Sequence, residues 1–289
     1  MKKIIFLCFL GLLFIPLVSR AETTNIDIKD FYEGSKVGKK IVFVGDSTTQ
    51  VADDMYNVLS ISIPGAEIIN RGSNGNTIVN YLNNVSVHGN GNSKVIADQA
   101  DLYVFSYGIN DIRCGVKSPC RNQKEIENDL KRAIDELLSK TNAFILLRVP
   151  NPFLSSDPTN TGWVQPLENA NEYSKKLREI YLSFVDYNKR VDVIDIQSIV
   201  FGQNSLSNHS LMNDIVHPNS EGYEEIGKAI AARLNGGDSS PYYDHISSSK
   251  EQELIEMCRV NYKNAKTKEE REKWHDMANA IRAINTAFQ

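Results

Sequence analysis

Five short apolar runs punctuate the chain: Lys40 to Val44, Glu67 to Asn70, Leu102 to Tyr107, Ala143 to Val149 and Val191 to Ile196. Each has the length of a strand, and segments of helical period lie between them. Ile126, Leu130, Ile134 and Leu137 recur at helical spacing, as do Tyr173, Leu177, Ile180 and Phe184, with Lys, Glu and Asp on the opposite faces. Apolar strands alternating with amphipathic helices predict parallel strands joined by crossover helices. The expected fold is α/β, a three-layer α/β/α sandwich around a central five-stranded parallel sheet. In such sheets chemistry collects at the carboxyl ends of the strands.

The two ends of the chain depart from this pattern. Lys2 and Lys3 precede an apolar run from Ile4 to Val18, and Ser19-Arg20-Ala21 places small residues where a signal peptidase inspects them. Residues 1–21 therefore read as a signal peptide, because the run is shorter than a membrane span needs and a polar segment follows at once. The expected location is exported, periplasmic or secreted, with no membrane span after the signal is removed. Residues 22–237 form the predicted main domain, and 238–289 a linker with a C-terminal helical extension. Ser249 with Gln252 and Thr267 with Glu270 are capping-box pairs, and Trp274, Met277, Ile281, Ile284 and Phe288 share one helical stripe. That stripe packs on the main domain or on itself; a partner contact through these helices is the alternative.

Charge narrows the partners. Losing Lys2, Lys3 and Arg20 leaves 29 basic residues against 36 acidic ones, a balance of −7 in place of −4. An acidic chain without a basic stripe argues against nucleic acid, which is bound through clustered Lys and Arg. About 270 residues bury roughly three quarters of the unfolded surface, so the core needs no metal or disulfide scaffold. Cys114 and Cys120 flank Pro119 closely enough to bridge in an oxidising compartment; two reduced, buried thiols are the other reading.

Three of the four chemistry-bearing segments stand directly after the strands. The first strand leads into Gly45-Asp46-Ser47-Thr48-Thr49, and an apolar-periodic stretch through Val51, Met55 and Leu59. Ser47 thus sits in a strand-to-helix turn, where helical N–H groups can face a negative charge. Alone, the tripeptide is an ordinary cap or turn. After the second strand, Arg71-Gly72-Ser73-Asn74-Gly75-Asn76 supplies a glycine whose N–H can approach a ligand. It is otherwise a βα turn, and it lacks the spacing of a nucleotide loop. The third strand ends in Gly108-Ile109-Asn110-Asp111, with an amide able to donate to an oxyanion without titrating. The most informative segment is Asp214-Ile215-Val216-His217-Pro218, where the carboxylate is close enough to bond one imidazole nitrogen while the other faces Ser47. His88, His209, His245 and His275 have neither a near acid nor ligand spacing, so no metal cluster is expected, and no cofactor.

In residue type, order and placement these four segments resemble the SGNH hydrolases, also called the GDSL esterase/lipase family. The resemblance covers about Lys40 to Leu234. It implies a flavodoxin-like fold and a serine esterase in which Ser47 is nucleophile, His217 base and Asp214 third member of the triad. It also implies an oxyanion hole of Ser47 N–H, Gly72 N–H and the Asn110 amide. Thr48 departs from the leucine of the family name. Segments 73–76, 88–93, 155–163 and 203–210 are rich in Asn, Ser, Gly and Thr and suit a hydroxylated ligand, and Trp163 can stack on a sugar ring or pack over its own loop. The expected substrate is a small-molecule or glycan ester, with O-acetyl removal from a carbohydrate or envelope glycan as the leading reading. A lipase or lysophospholipase, an O-acetyltransferase and a non-catalytic glycan-binding or adhesion protein are the alternatives.

Overall fold

The computed structural model describes residues 26–86, 88–112, 121–154, 170–202 and 209–237, together with 267 and 270. Strands β1 (Lys40–Gly45), β2 (Glu67–Gly72), β3 (Leu102–Ser106), β4 (Phe144–Arg148) and β5 (Val191–Ile194) form one parallel sheet in the order β2-β1-β3-β4-β5. The predicted α/β sandwich is therefore the observed one. β1, β3 and β4 are almost wholly buried, whereas the edge strands β2 and β5 are partly exposed. A strand covered on both faces must be apolar throughout, and an edge strand can alternate.

Helix α1 (Ile28–Glu33) precedes the sheet. α2 (Ser47–Gln50) and α3 (Asp53–Ser62) join β1 to β2, α4 (Ile78–Leu82) and α5 (Asn92–Ala97) join β2 to β3, and α6 (Ile109–Ile112) and α7 (Gln123–Lys140) join β3 to β4. α8 (Ala170–Leu182) leads to β5, and α9 (Ile196–Phe201) and α10 (Ser220–Leu234) follow it. From β1 the chain steps one way to β2, then returns across the sheet. Right-handed crossovers consequently put α3 on one face and α4 to α8 on the other. The packing agrees: α3 meets α10, which also touches α9 and α1, while α7 meets α4, α5, α6 and α8. Strand order reverses beside β1, so the crevice of this sheet opens at the carboxyl end of the strand that leads into Ser47.

The predicted helices lie where the periodicity put them. In α7, Ile126, Leu130, Ala133, Ile134 and Leu137 are fully buried, each side chain larger than alanine worth about 1.5–3 kcal/mol. The N-terminus of α7 carries a capping box between Asn122 and Glu125. α1 has too short a stripe to read from sequence. It is fastened by tertiary contacts, the Tyr32 hydroxyl donating to Asp192 on β5 at 2.7 Å and Arg233 of α10 pairing with the same carboxylate at 2.6 Å. Thr267 and Glu270 make the reciprocal bonds of a capping box, at 3.2 and 3.1 Å. The predicted signal peptide, residues 1–21, and the rest of the predicted C-terminal extension lie outside the described residues.

One helical reading is corrected. The stripe through Val51, Met55 and Leu59 is two helices: α2 ends at Val51, which is 52% exposed, and α3 begins at Asp53 with Met55 and Leu59 inward. The break exists because α2 lies flat on the end of the sheet. Gly45 pairs in register with Gly72 on one side and Ser106 on the other. A Cβ on Gly45 would stand 2.1 Å from Thr49 Oγ1 and 2.5 Å from the Ser106 carbonyl oxygen; on Gly72 it would stand 2.3 Å from Gln50 N and 2.5 Å from Gln50 Cα. Two strand ends without side chains thus admit a helical turn at backbone contact.

The contact makes a specific prediction. Gly72→Ala meets backbone that no rotamer change can move, and is expected to destabilise the fold by about 2–3 kcal/mol. Gly75→Ala, with φ of 67° but nothing within 4 Å of the new Cβ, should lose only about 1 kcal/mol. Urea denaturation compares them, and equal losses would contradict the close approach of α2.

Candidate active site

Ser47 is the first residue of α2. Its predecessor Asp46 is the N-cap, in extended conformation, with Oδ1 accepting the Thr48 N–H and the Thr48 hydroxyl, both at 2.9 Å. An acidic cap satisfies an otherwise orphaned helical donor and favours the positive end of the turn. The Ser47 N–H donates to no acceptor among the described residues. Ser47 Oγ lies 2.8 Å from His217 Nε2, and His217 Nδ1 lies 2.7 Å from Asp214 Oδ2. The structure therefore joins three residues from β1's exit and the segment before α10 in one hydrogen-bonded line, 170 positions apart in sequence between Ser47 and His217.

The histidine is held by its own loop. Asp214 Oδ1 accepts the N–H groups of Val216 and His217, each at 2.7 Å, so one carboxylate fixes both the backbone turn and the ring. The Asn213 N–H donates back to the His217 carbonyl at 2.8 Å, and Asn219 caps α10 through the Gly222 N–H at 2.9 Å. Burial pushes the Asp214 carboxyl up, but the bonds from the His217 ring and the Val216 N–H, with the field of His217, outweigh it and hold the group below the usual carboxylate range. A carboxylate kept ionised is what a neighbouring imidazolium requires.

A residue not singled out from sequence clamps this loop from outside. Asn151, fully buried at the exit of β4, donates its amide to the Val216 carbonyl at 2.6 Å, and the Leu154 N–H bonds the Ile215 carbonyl at 2.9 Å. The available signal was an asparagine between Pro150 and Pro152, whose nitrogens lack a hydrogen, so that the Asn151 side-chain amide adds donors to a donor-poor segment.

The expected oxyanion donors separate. Gly72 is not available: its N–H donates to Asn70 Oδ1 at 2.8 Å, and its missing Cβ serves the contact with Gln50. The reading of Gly72 as an oxyanion donor is thereby corrected. Three residues on, Gly75 is exposed, holds a left-handed φ of 67°, and donates its N–H to no acceptor among the described residues. Asn110, half-buried at the start of α6, gives one amide hydrogen to the Asn76 carbonyl at 3.0 Å, which ties it to the turn containing Gly75. Trp163, Cys114 and Cys120 lie outside the described residues, as do segments 155–163 and 203–208. Among the described residues no group of three or more His, Cys, Asp and Glu could hold a metal ion, and no helix is long and apolar enough to cross a membrane.

Asp111 closes the back of the site. Buried to 1% exposure, its two oxygens stand 3.1 and 3.2 Å from the Ile78 N–H and so cap α4 across the sheet end. Burial pushes its carboxyl up to about 7; the Ile78 bond and Arg121 oppose this, and Asp46 and Asp129 add to it.

Known proteins bear on this geometry. Residues 43–225 match the sequence model of the GDSL-like lipase/acylhydrolase family. No curated protein matches the chain. Among solved structures, one from Streptococcus pneumonia, provisionally described as a platelet activating factor, is similar at 20% identity and a TM-score of 0.52, over 67% of this chain and 83% of its own. A structure from Parabacteroides merdae, provisionally described as a GDSL-like lipase, is similar at 19% identity and a TM-score of 0.52, over 71% of this chain and 98% of its own.

The position of Asp111 predicts a pH dependence. Its folded value of about 7 exceeds the unfolded carboxylate value of about 3.9, so the folded state holds the proton longer and stability falls as pH rises across that window. Asp111→Asn keeps an acceptor for Ile78 and cannot ionise. Its Tm relative to the parent should rise between about pH 5 and about pH 8, and a pH-independent difference would show that Asp111 does not titrate there.

Proposed function

Because the chain belongs to the GDSL-like lipase/acylhydrolase family and is an ester hydrolase of that family, we propose that it is an exported serine esterase acting through Ser47, His217 and Asp214. One observation carries the reading: the unbroken line from Ser47 Oγ to His217 Nε2 at 2.8 Å and from His217 Nδ1 to Asp214 Oδ2 at 2.7 Å. A binding module has no need of an acid-oriented imidazole on a helix-start hydroxyl.

That line sets the steps of the reaction. His217 takes the Ser47 proton as Oγ attacks the ester carbonyl, and Asp214 stabilises the imidazolium without itself becoming protonated. The oxyanion forms at the start of α2, where the Ser47 N–H, without an acceptor among the described residues, the second hydrogen of the Asn110 amide and the exposed Gly75 N–H are its donors. Collapse expels the alcohol, which receives its proton from His217. Water then attacks the acyl-enzyme with His217 as base, and the acid leaves.

The substrate we propose is an O-acetylated carbohydrate or envelope glycan. Support comes from the rim: Asn74 and Gly75 are exposed, and Asn90 reaches the Gly72 carbonyl at 3.1 Å, so this part of the edge presents amides and backbone, with Val51 as its exposed apolar neighbour. Such a surface pairs with hydroxyl groups better than with acyl chains. Export is proposed on the charged, apolar and small-residue order of residues 1–21.

Labelling with a fluorophosphonate probe, followed by peptide mapping, should place the adduct on Ser47, and Ser47→Ala should abolish both labelling and hydrolysis. Asn110→Ala should lower kcat by about 10²–10³ without unfolding the protein; an unchanged kcat removes Asn110 from the site. Across p-nitrophenyl esters of increasing length kcat/KM should be highest for acetate, whereas a maximum at long chains would assign a lipase. Acetyl transfer to a glycan acceptor in preference to water would assign an acyltransferase. Mass spectrometry of the secreted protein should find Glu22 at its N-terminus.

A further inference from the structure

Arg148, at the end of β4, is the largest fully buried side chain, with 1% exposure. Taking a guanidinium from water is unfavourable by several kcal/mol unless a counter-charge and hydrogen bonds offset it. Among the described residues no carboxylate stands within ion-pair distance of it, and its Nη1 has no partner. Its Nη2 instead donates to the hydroxyls of Thr48 and Thr49, each at 3.3 Å. The Thr48 hydroxyl passes its own hydrogen to Asp46 Oδ1 at 2.9 Å. A hydroxyl can accept and donate at once, and leucine, the residue of the family name at this position, can do neither.

The counter-charge of Arg148 is therefore Asp46, reached through one hydroxyl. Asp46 is itself buried to 1% exposure, and the carboxylate it presents is the N-cap of the turn that begins at Ser47. We propose that Arg148 is a positioning residue for ester hydrolysis: through the Thr48 hydroxyl it holds the Asp46 carboxylate on the first turn of α2 and thereby keeps Ser47 and its N–H aimed at the substrate. The proposal rests on Ser47 being the nucleophile. Charge supports it. Burial pushes the Asp46 carboxyl above the usual carboxylate range, and the Thr48 bonds, Arg148 and His217 limit that rise. The other ionisable groups that sense Asp46 are Asp111, Tyr107, Tyr181 and Tyr223. Of all these, Arg148 is the permanent cation. Without it, Asp46 binds a proton more readily.

The test is the pH profile of kcat/KM on p-nitrophenyl acetate, with Tm measured alongside. Thr48→Val and Arg148→Met should each lower kcat about tenfold and move the acidic midpoint upward by about half a unit or more. Their combination should be no worse than the larger single loss, since both break one relay. Thr48→Ser keeps the hydroxyl and should recover the parent midpoint. Thr48→Val decides the matter even if Arg148→Met does not fold. Unchanged kcat and midpoint in Thr48→Val, or additive losses in the double variant, overturn the role of Arg148. Ser47→Ala in the same assay separates the two readings: activity that survives it removes the nucleophile itself, whereas Ser47-dependent activity indifferent to Thr48→Val removes only the relay.

Discussion

Backbone contact between a four-residue helix and the end of a sheet is the constraint on which the rest of this structure depends. Gly45 and Gly72 stand side by side in adjacent strands, and the space their side chains would fill is taken by Thr49 and by the backbone of Gln50. Because α2 can descend that far, the residue at its start emerges at the reversal of strand order, where the sheet opens. Ser47 thus keeps only 7% exposure at the edge of that crevice, while the turn beneath it is packed like a core. A hydroxyl at a helix start is common; one pinned against a parallel sheet at its switch point lies where ligands of open α/β sheets bind.

Around that turn, charge is distributed in two tiers. Above it, Asp214 uses one oxygen for the loop and the other for the imidazole, so that the shape of the segment and the state of the ring are set by the same group. Below it, Asp46 and Arg148 share a threonine hydroxyl in the dry interior, with Asp111 capping α4 nearby. Asn151 links the tiers to the scaffold by holding the Val216 carbonyl from the exit of β4. The cost of burying these groups is offset by hydrogen bonds that leave few orientations open, which gives a preorganised site in place of a merely stable one.

The sheet was legible from the sequence because buried parallel strands must be apolar and strongly periodic helices must turn one stripe inward. Three of the four chemical segments were legible because each comes directly after a strand, and the connectivity of an open α/β sheet sends such loops to one edge; the segment at Asp214 follows α9 and was legible from its acid and histidine three positions apart. Reading failed where an interaction spans distant parts of the chain. The stripe through Val51 suggested one helix, but α2 had to end so that it could lie on the sheet. Gly72 suggested a donor, but its hydrogen belongs to Asn70 and its smallness to Gln50; Gly75, whose N–H has no acceptor among the described residues and whose backbone is left-handed, carries the signs of that role.

By itself, then, the sequence determined the fold class and the strands, and it marked the serine, histidine and aspartate that the proposed mechanism uses, since these depend on local periodicity and on residues only three positions apart or at a strand end. The tertiary structure alone decided which glycine is spatial and which is free, which asparagine clamps the histidine loop, and that a buried arginine finds its counter-charge through Thr48. Those features depend on groups brought together from β1, β2, β4 and the segment before α10. A one-dimensional pattern records what each residue can donate, accept or bury, and only the packed chain specifies against what.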